Sequence, residues 1–402
     1  MKFYELVYLF ENTKNMKQSF EIFEKYIEEC EEHQLDMISY DKDMAINFSL
    51  FREIMNVPYI KTVFKHPNLA FFNSKIINEM QNSKAQIRQD YSISFDVNTA
   101  TYVHDYMTLG KDKVPKEFLK TLSFILDENL NIDPMFYILE NVSKGENSKR
   151  FYDNLVSLKK IMTCDMEYYK NTKKIKSILS DDEAKKESEK DLNAIKTEFN
   201  ELIKITQKNH LIMKIILLAI TISRFKYKSN LKQQLEYLIK FMDNKLHTIF
   251  LRELCVALEY FEKKQLKFFN PLNNRKSLDK IINSIENMAW DFTLVRTLEM
   301  YFSSKPDPKA DFFIPFIYTH DKGLLDVIEL FDCKDFLIFH KEKRTVPIPI
   351  NSLMPKIKKY KLDKFFTEEA LLNRFNNVNI NYEIVLDELK IEIKKIFKLY
   401  GI

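Results

Sequence analysis

The stretch Tyr91–Tyr106, YSISFDVNTATYVHDY, joins a strand pattern to a helix pattern across a single acid. Tyr91, Ile93 and Phe95 alternate as the apolar members of a β-strand, Asp96-Val97-Asn98 ends it, and a helix is expected from Thr99. Asp96 has two readings. It is a helix cap, a role that Asp and Asn favour. It is also a carboxylate at a strand tip with Asn98 two residues on, an arrangement suited to a hard divalent cation that takes oxygen ligands.

Composition narrows the rest. The chain has 402 residues, 45% hydrophobic and 30% charged, with 33 Phe, enough for a sizeable core under a polar surface. Only 4 Gly occur, and neither GxxxxGK[ST] nor GxGxxG is present, which argues against Walker-type and Rossmann nucleotide sites. A net charge of +4 is too small to mark a nucleic-acid partner by itself. Cys30, Cys164, Cys255 and Cys333 lie far apart, so reduced thiols are expected rather than a zinc ribbon. The N-terminal MKFYELVYLFENTKN lacks a secretory pattern, and the apolar run Leu211–Ile222 is too short to span a bilayer. That run is expected to be a buried core helix, and the protein to be cytoplasmic with no membrane partner.

Outward from the central stretch, Met16–Glu32 reads as a helix, Met37–Tyr40 as a short strand, 41–54 and 73–90 as helices. Asn131–Asn141 opens on Asp133-Pro134 and carries Glu140 on an otherwise apolar helix face, where an acid is costly to bury without a partner. Lys173–Lys208 mixes both charge signs, the pattern of a solvated helix face. Ser277–Phe302 reads as one long helix with Asp291 on the face shared by Ile281, Met288, Val295 and Leu298. Phe312–Tyr318 reads as a strand with edge character at Pro315, ending in Thr319-His320-Asp321-Lys322-Gly323 before a helix from Leu324. Asp335–Phe339 is a further strand.

Strand, then Asp, then helix therefore occurs twice, at Asp96 and at Asp321. Parallel sheets place ligands at the carboxyl ends of their strands, so these two acids can converge. Carboxylates brought close together repel unless a divalent cation neutralises them. With Glu140 and Asp291 between them, four acids imply a metal site.

With SFDVN, FYILEN, AWDFTLVRTLE and IYTHDKGL in this order, the chain resembles the PIN-domain nuclease superfamily. The resemblance implies an α/β core, a short parallel sheet flanked by helices, within a predominantly helical chain. It divides the sequence into a mostly helical region 1–90, a first core half 91–150, a helical insertion 151–283, a second core half 284–345 and a basic, helical region 346–402. It implies a metal-dependent endoribonuclease in which Asp96, Glu140, Asp291 and Asp321 hold Mg²⁺ or Mn²⁺ over an RNA phosphodiester, a toxin-like activity. Asn98 and Thr319 would orient ligands or waters. Glu299 and Asp311 are rivals for the third acid.

Between His340 and Lys364 eight basic side chains stand against two acidic ones, among them Lys341, Lys343, Arg344, Lys356, Lys358 and Lys359. Such an excess can track phosphates or be a solvated surface. An inhibitory protein or a second copy docking through the insertion is a further expected partner. Two other readings compete. A metal-free HEPN ribonuclease needs an Arg-x4–6-His motif, and Asn98 stands where the Arg before His104 belongs. A non-catalytic helical scaffold or regulatory protein would keep the acids only as caps and surface charge.

Overall fold

The structure, a computed structural model, describes all residues except 41–48, 83–85, 264–265, 274–276, 305, 351–352, 377–378 and 401–402. The chain is mostly helical, with two small sheets. Its strands are β1 (Leu35–Tyr40), β2 (Ile60–Lys61), β3 (Leu69–Phe72), β4 (Gln89–Phe95), β5 (Ile132–Asp133), β6 (Phe312–Tyr318), β7 (Cys333–Phe339) and β8 (Arg344–Pro349).

The sheet that carries the acids has the order β2-β6-β4-β5. Strand β4 runs parallel to both β5 and β6, with Gln89–Phe95 in register with Phe312–Tyr318. Parallel neighbours need crossovers. Helices α1 (Val97–Leu109) and α2 (Lys116–Asp127) make the first, from β4 to β5. The second, from β5 to β6, is long and holds α3 (Met135–Ser143), α4 (Lys149–Met162), α5 (Asn200–Tyr227) and α6 (Leu278–Tyr301). Strand β6 then feeds α7 (Lys322–Leu330).

Pro315 is tolerated in β6 for a visible reason. Strand β2 pairs only with Tyr318 and Ile317, so at Pro315 the β2 side of β6 carries no ladder for a missing N–H to break.

The second sheet, β3-β1-β7-β8, is antiparallel and unites residues 35–72 with residues 333–349. Residues 1–90, read as mostly helical, thus supply three strands. Strand alternation separates two cores here. Met37, Phe72 and Phe339 pack with Leu6, Phe10 and Phe23 of the first helices, whereas Ile38, Phe71 and Phe336 join the main core.

Several local expectations are corrected. Met16–Glu32 breaks at Tyr26 into Met16–Lys25 and Ile27–Glu32, and the helix expected over 73–90 spans only Ser74–Gln81. Within 41–54, residues 41–48 lie outside the described residues and a helix occupies Ser49–Met55. The basic stretch after Phe339 contains β8, whose Pro347 and Pro349 are accommodated because β8 is an edge strand.

The region 151–283 contributes to the main core. Helix α5 contains the apolar run Leu211–Ile222, and its residues Ile215 to Ile220 are buried against α3 and α6. By length and composition alone α5 could cross a membrane, but 61% of its most apolar window is buried inside the protein. Of the charged run Lys173–Lys208, the middle forms helix Asp181–Glu198, opened by a Ser180–Glu183 capping box and largely exposed, and the end belongs to α5.

Candidate functional site

Asp96 stands immediately beyond β4 and Thr319 immediately beyond β6, side by side because Phe95 and Tyr318 are register partners. Asp96 is buried, and both carboxylate oxygens accept hydrogen bonds. The Thr99 backbone N–H donates to Oδ1 at 2.6 Å, which is the N-cap of α1, and the Thr319 hydroxyl donates to Oδ2 at 2.5 Å. Capping and membership of an acid cluster are therefore compatible, since a carboxylate has lone pairs for more than these two bonds. Burial pushes the Asp96 carboxyl up to about 6, the bonds from Thr319 and Thr99 pull it down, and the charge of Glu140 raises it again.

The second strand end repeats the device. Asp321 caps α7 by accepting from the Leu324 N–H at 2.9 Å, and its own N–H donates to Thr319 Oγ1 at 3.0 Å. Gly323 leaves the room this turn needs. A Cβ there would stand 3.1 Å from Asp321 Oδ1 and 3.2 Å from the Phe268 Cα.

Helices α3 and α6 bring the other two acids. Asp291 feels burial first, then the charges of Asp321, Glu140 and Asp96, and its carboxyl is driven well above the usual range. Asp291 thus lies within electrostatic reach of Asp321, Glu140 and Asp96, and Asp96 within reach of Glu140. Glu140, with a side chain only 13% exposed, accepts from Lys144 Nζ at 2.5 Å, one helical turn on. The same ammonium lies 5.0 Å from the centre of the Trp290 ring and opposes the upward shift of Asp291. His210 stacks on Trp290 at 4.0 Å and pairs with Glu286, which also holds Lys214.

The rival acids are elsewhere. Glu299 is eight residues along α6 from Asp291, about 12 Å of axial rise, in a buried ion cluster with Arg252, Arg296 and Glu253. Asp311 precedes β6, at the end of the strand opposite Asp321, and accepts from the Arg88 N–H and from Lys75. Asn98 is exposed in the first turn of α1, and Thr319 alone of the two expected orienting residues is bonded to an acid of the cluster.

The six basic residues are dispersed. Lys341 pairs with Glu32 and Lys356 with Glu262. Lys343 in the β7–β8 turn and Arg344 at the start of β8 line a groove with Phe3, while Lys358 and Lys359 lie on the separate helix Met354–Lys359. The cation beside the acids is Lys144, which the sequence reading passed over. Its spacing of four from Glu140 was the available signal.

Among the described residues, no group of three or more His, Cys, Asp or Glu side chains is arranged as it stands to enclose a metal ion. The donor chemistry does fit a hard divalent cation, being all carboxylate oxygen and short of positive charge. Closing around one would require side-chain rotation, with Glu140 leaving Lys144. No protein-family model, curated protein or solved structure matches the chain.

Proposed function

We propose that the protein is a PIN-like, Mg²⁺- or Mn²⁺-dependent endoribonuclease whose acid cluster is Asp96, Glu140, Asp291 and Asp321. The observation that carries this reading is Asp291, a carboxylate whose proton affinity is raised by burial first and then by Asp321, Glu140 and Asp96, with Lys144 opposing them. Such a concentration of like charge costs stability and is typical of functional sites. The parallel β5-β4-β6 arrangement, with two acids beyond adjacent strand ends, supports the fold part of the reading.

Each residue has a defined task in this reading. The α1 cap and the Thr319 hydroxyl hold Asp96 in place, so its remaining lone pairs have little freedom to lose. The Asp321 cap does the same across the strand junction. Glu140 and Asp291 complete the oxygen set from α3 and α6, and Lys144 places a positive charge at the rim where an RNA phosphate would arrive. Mg²⁺ or Mn²⁺, if held by these carboxylates, would supply Lewis-acid activation for phosphodiester hydrolysis.

Incubating the purified chain with single-stranded RNA and Mg²⁺ or Mn²⁺ tests the proposal. Internal cleavage that stops on chelation, and is lost in Asp96→Asn and Asp321→Asn, is the expected result. Cleavage that survives chelation, or none at all, overturns it. A non-catalytic scaffold is favoured by one observation, the Glu140–Lys144 pair that satisfies an acid internally. It predicts no cleavage under any of these conditions.

A further inference from the structure

We propose that the last helix, Tyr382–Tyr400, is a self-association surface on which a second copy of this chain docks antiparallel, centred on Ile391. The inference is independent of the acid site.

One face of this helix is spent inside the protein. Val385, Leu386, Leu389, Ile393, Ile396 and Phe397 are buried, with Phe397 against Phe225 of α5, and Glu392 pairs with Lys226 of the same helix. The opposite face is not wholly polar, as the outer side of a surface helix usually is. Ile384, Ile391 and Leu399 are 57%, 55% and 83% exposed, and their spacing stacks them along one side. Between and beside them the charges are sorted. Glu383, Asp387 and Glu388 precede Ile391, Lys394, Lys395 and Lys398 follow it, and all are exposed.

That order is complementary to its own reverse. A second copy running antiparallel sets its Ile391 on Ile391, its Lys394 and Lys395 against Asp387 and Glu388, and its Lys398 beside Glu383. Ile384 lies about 10.5 Å of helix rise before Ile391 and Leu399 about 12 Å after it, so these two meet at both ends of the contact. A parallel partner would set acids on acids and lysines on lysines. The helix dipole favours the same sorting, but it acts in the first and last turns, whereas Asp387, Glu388, Lys394 and Lys395 lie inside them. It also gives no reason for exposed Ile and Leu. A lipid surface fits less well, because acids flank half of the stripe. Competition from within the chain is slight. Asp387 holds Lys390 and Glu388 holds Lys245, solvent-exposed pairs that a new partner can replace at little cost.

A single helix pair buries less than the roughly 1,200–2,000 Å² of stable complexes, so the dimer should be reversible, with a dissociation constant on the order of 10 µM. Sedimentation equilibrium of the full chain, taken up to about 0.2 mM, reads it. Ile391→Ser should weaken the dimer on the order of tenfold, because the central apolar contact is lost from both copies. Asp387→Lys with Glu388→Lys, and separately Lys394→Glu with Lys395→Glu, should each leave the chain monomeric. An equimolar mixture of these two doubly substituted chains should dimerise again. Far-UV circular dichroism checks the fold of every variant, whose substituted side chains are all exposed.

A parent chain that stays monomeric throughout overturns the proposal. So do charge-reversed chains that dimerise as the parent does, which would place the contact on another face, and a mixture of the two that stays monomeric. A monomeric parent that instead binds phosphatidylcholine vesicles also overturns it, and gives the stripe to a lipid surface.

Discussion

Thr319 donates its hydroxyl to Asp96 Oδ2 at 2.5 Å, tying together two residues 223 positions apart at the ends of adjacent parallel strands. Thr319 Oγ1 also accepts the Asp321 N–H at 3.0 Å, so one side chain orders both strand-end acids. Thr319→Val removes the donor to a buried carboxylate and the acceptor of a backbone N–H. Losing buried partners of this kind costs about 1–3 kcal/mol. Urea unfolding at pH 7 should show that loss, and Thr319→Ser should restore most of it. Equal stability of the Val variant and the parent would refute the tie.

Asp291→Asn should stabilise the metal-free protein. The substitution removes an acid whose ionised form is opposed by burial first and then by Asp321, Glu140 and Asp96, while keeping size and polarity. A rise of a few degrees in Tm at neutral pH is expected, the usual exchange of function for stability. The gain should shrink as pH falls, since protonation relieves the same repulsion in the parent. A lower Tm for the variant at pH 7.5 would contradict the clustering of the acids.

Asp96 sets a second pH dependence. Its folded value of about 6 lies above the unfolded value of 3.8, so the folded state holds the proton more tightly. A raised acid penalises folding above its folded pKa, and the penalty is relieved as pH falls from about 6 towards 3.8. The shift corresponds to about 3 kcal/mol. The stability difference between the parent and Asp96→Asn, both metal-free, should therefore change between pH 7 and pH 4 and be flat above pH 7. Divalent-cation affinity should weaken below pH 6, because the proton and the ion compete for one carboxylate. A difference that stays constant from pH 7 to pH 4 would show that Asp96 is not the group responsible.

The strand–Asp–helix transitions at Asp96 and Asp321 were legible because they change the hydrophobic period from 2 to 3.6 across one residue. Glu140 and Asp291 were legible as acids on apolar helix faces. The second sheet was not, because nothing in Leu35–Tyr40 names Cys333–Phe339 as its antiparallel partner almost three hundred residues away. Its strand β8 was hidden by two prolines and by the basic residues around it. Lys144 escaped notice for the opposite reason. A Glu–Lys spacing of four is common on helices, and only the fold shows that this pair sits beside three other acids.

Glu299 and Asp291 are acids on the same helix in opposite electrostatic settings. The Glu299 carboxylate accepts from Arg252 Nε at 2.9 Å and from Arg296 at 2.7 Å, with Arg252 fully buried over the Phe331 ring. Burial works against its charge, yet Arg296 and Arg252 hold it below the ordinary carboxylate range. Glu299→Gln strips a counter-charge from two guanidinium groups and leaves Glu253 on Arg296. Breaking a buried pair on one side costs about 3–5 kcal/mol. The variant should thus unfold at much lower urea, where Asp291→Asn unfolds at higher urea than the parent. The pH behaviour is also opposite to that of Asp96. A depressed acid stabilises folding above its unfolded value, and that contribution disappears as pH falls through its folded value, so the destabilisation by Glu299→Gln should fade in acid. If Glu299→Gln were neutral at pH 7, the Arg252–Glu299–Arg296 cluster would not be holding the far end of this helix.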